Sequence, residues 1–137
     1  MSGRVRTLLG ALSIIAATLA LTPAVASADG VLHRNVYSYA HGYKVNLTIF
    51  GNAGQARGMC TITNLPESMI IRACQLLRST SGGAGTESGN GWQRHFPRAY
   101  SRMLALACGT SYRVFIRFQA VSASAPSTAY GTWWRPC

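Results

Sequence analysis

Polar and apolar positions alternate most cleanly in two stretches of the chain. In residues 43–50 (YKVNLTIF), Val45, Leu47 and Ile49 alternate with Lys44, Asn46 and Thr48. In residues 112–121 (YRVFIRFQAV), Tyr112, Val114, Ile116, Phe118 and Ala120 share one face, and Arg113, Phe115, Arg117, Gln119 and Val121 share the other. Successive side chains of an extended chain point to opposite sides, so this period of two predicts strands. Residues 59–64 (MCTITN) read as another strand, reached through the turn Gly51-Asn52-Ala53-Gly54. Residues 36–40 are a weaker strand candidate, because their alternation is poor.

Two segments support two readings each. Asn64-Leu65-Pro66-Glu67 has the form of a helix start, and Met69, Ala73 and Leu77 follow at helical spacing. The rival is a strand over 69–78 that forms a hairpin with 59–64 about the loop 65–68. Cysteine placement favours the hairpin, since Cys60 and Cys74 are each seven residues from Glu67. Folding about Glu67 would set them opposite, roughly 4.5–5.5 Å apart at Cα, within reach of a disulfide. Residues 98–108 read either as a helix opened by Pro97, with Arg98 and Arg102 on one exposed face, or as a strand aligning Leu104, Leu106 and Cys108. Residues 79–91 (STSGGAGTESGNG) have no period and read as a flexible surface loop. Residues 129–137 (AYGTWWRPC) form a closing element expected to return beside 112–121.

The N-terminus carries a different pattern. Arg4 and Arg6 precede 14 uncharged, mostly apolar residues, 8–21, followed by Pro23 and the small-x-small site Ala26-Ser27-Ala28. A membrane span needs about 20 apolar residues. This core is shorter and ends in a helix-breaking flank, so residues 1–28 read as a cleavable export signal. A mature domain over 29–137 follows, released or held by surface contacts. No later apolar run is long enough to span a bilayer.

Export changes how the four cysteines are read. In an oxidising compartment Cys60, Cys74, Cys108 and Cys137 form two disulfides. The preferred pairing is Cys60–Cys74 with Cys108–Cys137. The intervals of 14, 34 and 29 residues lack the close ligand pairs of a zinc site, and no cofactor is expected. The fold class that follows is all-β, a small antiparallel β-sandwich or barrel with two disulfides. The alternative is α+β with one or two short helices.

Charge narrows the function classes. The sequence has 13 Lys and Arg against three acids, Asp29, Glu67 and Glu87. Removing Arg4 and Arg6 leaves a net charge of +8 (11 less 3) on the mature part. Such a surface attracts anionic polymers, and an exported chain meets them outside the cell, which argues against chromosomal DNA. Lys44 is the only lysine, and with abundant Ala and Gly this points to a coding bias toward Arg. The candidate binding residues are Arg94, Arg98, Arg102, Arg113 and Arg117, with Trp133 and Trp134. Arg113 and Arg117 fall on one strand face, while adjacent tryptophans in a strand point to opposite faces.

Catalytic chemistry has few residues to work with. Three acids, three histidines (His33, His41, His95) and no G-x-S-x-G elbow assign no catalytic set. A ribonuclease would have to cast Glu87 as base, His95 as acid and Arg98 on the phosphate. The leading expectation is a non-catalytic interaction domain for an anionic envelope polymer or a protein. The alternatives are an enzyme inhibitor or toxin-like effector, presenting loop 79–91 or 65–68 to its target, and that ribonuclease.

Overall fold

The computed structural model describes residues 28–80, 83–88 and 91–137. The expected export signal, apart from Ala28, lies outside the described residues. The chain forms β1 (Gly30–Ser38), β2 (Lys44–Gly51), β3 (Gln55–Thr63), β4 (Met69–Arg78), β5 (Gly83–Ala84), β6 (Thr86–Ser88), β7 (Arg98–Ser101), β8 (Leu104–Ala105), β9 (Tyr112–Ala120) and β10 (Ser127–Tyr130). A short 3-10 turn, Ala40–Gly42, joins β1 to β2. The fold is the all-β class expected from the alternation.

The strands make two antiparallel sheets. The larger has the order β1-β2-β3-β7-β6, with β8 also pairing β3, and the smaller has the order β10-β9-β4-β5. Their inner faces enclose one core. Val45, Leu47, Ile49 and Ile62 from the larger sheet meet Ile71, Leu76, Val114, Ile116 and Phe118 from the smaller. Each of these side chains is buried. At about 25 cal/mol per Å² of apolar surface, this interdigitated layer is the main stabilising term.

Both disulfides form as expected, Cys60–Cys74 and Cys108–Cys137. The hairpin expected to carry the first does not form. Both edges of β3 are taken, by β2 on one side and by β7 and β8 on the other. β4 pairs instead with β9, from Met69↔Ala120 to Arg78↔Tyr112. The connection between β3 and β4 therefore crosses from one sheet to the other, turning at Asn64 with a left-handed φ of 56°. Asparagine tolerates that conformation because its short polar side chain bonds locally. Cys60 and Cys74 meet across the core, with Cα atoms 5.9 Å apart.

Other segments resolve or correct the sequence reading. Residues 69–78 are strand rather than helix, and residues 98–108 contain the short strands β7 and β8. Of the weak candidate at 36–40, residues 36–38 are strand and end β1, while Ala40 begins the 3-10 turn. The glycine-rich segment 79–91 is not wholly a loop. β5 pairs with β4 in the smaller sheet, and β6 pairs with β7 in the larger. A Cβ on Gly83 would sit 2.4 Å from the Leu76 carbonyl oxygen, so only glycine lets the backbone approach β4 there.

β10 returns beside β9, as expected for the closing element. Beyond it, Tyr112 and Trp134 exchange backbone hydrogen bonds of 2.7 and 2.8 Å. The Cys108–Cys137 bond fastens the end of this segment.

Candidate anion-binding face

The register of the larger sheet determines which side chains share its outer surface. Directly opposed residues lie on one side of an antiparallel pair. The pairings Arg34↔Thr48, Thr48↔Met59 and Met59↔Tyr100 form one row across four strands. Val36↔Asn46, Asn46↔Thr61 and Thr61↔Arg98 form the next. Lys44↔Thr63 and Phe50↔Arg57 bound the grid at its two ends. Arg34, Lys44, Arg57 and Arg98 thus stand on one face, around a centre of Asn46, Thr48, Thr61 and Thr63. Among the described residues, no carboxylate side chain stands on it.

This centre is a groove of about 400 Å³, with Arg34 on one side and Arg98 and Phe96 on the other. Phe96 is 47% exposed and has a left-handed φ of 49°. The following Pro97 disfavours the right-handed helical region at Phe96 but favours extended backbone, so the positive φ is an outlier for an aromatic residue. Pro97 is itself buried, and its carbonyl accepts the Ile62 N–H at 3.1 Å, extending the ladder between β3 and β7. Thr63 and Phe96 also line an adjoining cavity of about 560 Å³, with Leu65, Glu67, Arg94 and His95.

Two arginines of this face, Arg57 and Arg98, lie over aromatic rings. The Arg98 guanidinium lies 4.8 Å from the Phe96 ring centre, and the Arg57 guanidinium lies 4.4 Å from that of Tyr100. Stacking uses the face of a guanidinium and leaves its edge to hydrogen bonding, and the Arg98 edge donates to the Tyr100 hydroxyl at 3.4 Å. Lysine cannot do both. Whatever its coding origin, the preference for arginine is used structurally here.

The five arginines singled out in the sequence divide between regions. Arg98 stands on the larger sheet, and Arg94 lines the adjoining cavity. Arg102 follows β7, exposed, and its backbone N–H donates to the Gly85 carbonyl at 2.9 Å. Arg113 and Arg117 share the outer face of the smaller sheet, on the opposite side of the core. Trp133 is exposed, and Trp134 is partly buried against the core, which is the division expected of neighbours in an extended segment. Arg34, Lys44 and Arg57 were missed as partners of Arg98. Alternation places Lys44 on a polar strand face, but Arg34 and Arg57 lie outside the strands expected at 36–40 and 59–64, and strand order is what puts all four on one face.

Of the residues considered for catalysis, His95 lines the adjoining cavity and Arg98 the groove. His33 Nε2 lies 2.8 Å from Thr132 Oγ1, and the His33 ring stacks on Trp134 at 6.4 Å. The Glu87 side chain lies outside the described residues. Glu67 shares a cavity with His95 and Arg94, yet both its oxygens accept from Ser122. The Ser122 hydroxyl, followed by the Ser122 N–H, holds this carboxyl below the usual carboxylate range, which makes it a weaker base.

No protein-family model matches the chain, and no curated protein matches it. Among the described residues, no helix is long and apolar enough to cross a membrane. The two disulfides are compatible with an oxidising compartment.

Proposed function

We propose that the chain is exported and that its mature domain is a non-catalytic binding module. Its ligand is a hydroxyl-bearing anionic polymer of the cell envelope, laid along the outer face of the larger sheet. One observation carries this reading: four cations frame a floor of Asn46, three threonines and Met59, and no described carboxylate interrupts them. The cations supply long-range attraction, and the half-buried Asn46 and Thr63 offer donors and acceptors to a hydroxylated backbone, whereas Thr48 and Thr61 are buried. Such a face suits a repeating phosphate or carboxylate on a polyol or sugar chain. It suits nucleic acid less well, because the aromatic platforms that would stack bases, Phe96 and Tyr100, already carry arginines.

Binding measured against a glycerol-phosphate polymer, a polyuronate and poly(U) tests the proposal. One of the first two should bind, which separates phosphate from carboxylate recognition. Four contacts imply a slope of log K against log salt of about −3. Arg34→Ser combined with Arg98→Ser should lower affinity at least tenfold and make the slope shallower. Tighter binding of poly(U) than of both other polymers, or salt-independent binding, would overturn the reading.

A further inference from the structure

The smaller sheet carries a second basic face, on the far side of the core from the first. Its outer surface includes Arg113, Arg117 and Arg72, and each is stacked. Arg113 lies 4.3 Å from the ring centres of both Tyr130 and Trp133. Arg117 lies 5.7 Å from Phe115. Arg72 lies 5.6 Å from Trp92 and donates to Gln119 Oε1 at 3.3 Å. Arg72 and Arg117 are exposed.

Neither described acidic side chain stands in the rows of either face, although Glu67 lines the cavity that adjoins the larger one. Asp29 accepts from Asn52 Nδ2 at 2.9 Å beside the turn that precedes β3, and Glu67 binds Ser122 beyond the other end of β3. Positive charge therefore covers the two broad sides of the sandwich, and the described negative charge is confined to its ends. Two packed sheets are about 10 Å apart, and arginine side chains extend this to roughly 25 Å between ligands on opposite sides. That exceeds the Debye length of about 8 Å at physiological ionic strength. Two bound polyanions would be screened from each other, so occupancy of one face does not oppose occupancy of the other.

We infer that the domain is a bridging module that cross-links two anionic polymer chains, one on each sheet. The inference rests on the proposed polymer binding at the larger sheet and adds a second, independent contact. It predicts assembly that depends on stoichiometry, with large complexes at intermediate ratios that dissolve when polymer is in excess.

Light scattering during titration with a long glycerol-phosphate polymer or polyuronate, whichever binds, tests this. A short oligomer of the same chemistry reports binding separately. Wild-type protein should give a scattering maximum, and Arg72→Ser with Arg117→Ser should abolish it while changing short-oligomer affinity at the larger sheet less than twofold. Binding without any growth in size at any ratio would overturn bridging and leave the binding reading intact. Undiminished scattering by the double variant would also overturn it. Absence of binding to both polymers would instead overturn the binding reading.

Discussion

Glu67 receives two hydrogen bonds from a single residue, Ser122, at 2.7 Å from its N–H and 2.8 Å from its hydroxyl. The contact ties the crossover between the sheets to the turn after β9. The Val121 N–H reinforces it by donating to the Ser68 carbonyl at 2.9 Å. Because the folded-state pKa of Glu67 is lowered, its contribution is present above the usual carboxylate range and is lost as pH falls through the folded value. The sequence has only three acidic side chains, so this single group should be visible in the pH profile. Thermal melts from neutral pH to strong acid should show wild-type stability falling in that window, with Glu67→Gln largely removing the fall. An identical pH profile in Glu67→Gln would contradict the assignment.

A polar seam joins β1 to the segment after β10. Asn35 Oδ1 accepts the Thr132 N–H at 3.0 Å, and Asn35 Nδ2 donates to Thr132 Oγ1 at 3.1 Å. Nearby, the Tyr37 hydroxyl donates to the Tyr130 carbonyl at 2.6 Å. A Cβ on Gly131 would lie 2.7 Å from Asn35 Oδ1, so the Asn35 amide would have to swing away and give up its bonds to Thr132. Gly131→Ala and Asn35→Ala should each cost about 1–2 kcal/mol, one through the clash and the other through lost hydrogen bonds. The double variant should be less destabilised than their sum, because removing the amide relieves the clash. Urea denaturation of all four proteins measures the coupling, and strict additivity would refute it.

Long-range pairing is where the sequence ran short. The alternation of Val45, Leu47 and Ile49, and of Tyr112, Val114, Ile116 and Phe118, was enough to find the core, because burial on one face of a strand is a local property. The symmetry of Cys60 and Cys74 about Glu67 gave the right bond for an incomplete reason. A disulfide reports proximity, and proximity is satisfied equally by neighbours in a hairpin and by facing strands of two sheets. Which applies depends on the partners of β3, and these come from β2 and β7, up to about 40 residues away. The candidate site suffered in the same way. Arg98 and Arg113 are close in sequence and basic, yet the connection from β8 to β9 changes sheet and puts them on opposite sides of the core.

The two disulfides should differ in what their loss does. Cys60 and Cys74 are both buried between the sheets, so replacing both with alanine removes a cross-link from the centre of the cooperative unit. The closed loop predicts a loss of about 3 kcal/mol. Cys108 and Cys137 are exposed, and their removal should release residues beyond β10 before the rest unfolds. Hydrogen exchange should then accelerate at the Tyr112 and Trp134 amides, which bond each other's carbonyls, with Ile116 and Cys60 little changed. Equal acceleration at all four sites would show that the second bond belongs to the same cooperative unit as the first.

Arg113 should behave as a packing residue as much as a charge. Its guanidinium lies against both Tyr130 and Trp133, and its buried Nε has no hydrogen-bond partner among the described residues. An unpartnered buried donor is a cost that the two ring contacts must offset, which they do through dispersion and through attraction between the cation and the ring faces. Arg113→Ala should therefore destabilise by about 2 kcal/mol, while Arg113→Met, which keeps length and removes the orphaned donor, should recover part of the loss. Arg113→Lys should fall between them, since an ammonium cannot lie flat against two rings. Raising salt should change these differences little, because the charge is shielded by the rings, whereas the effect of Arg117→Ser on polymer bridging should weaken. Urea melts of the three Arg113 variants at low and high salt would decide this, and a salt-dependent loss in Arg113→Met would assign Arg113 to surface electrostatics instead.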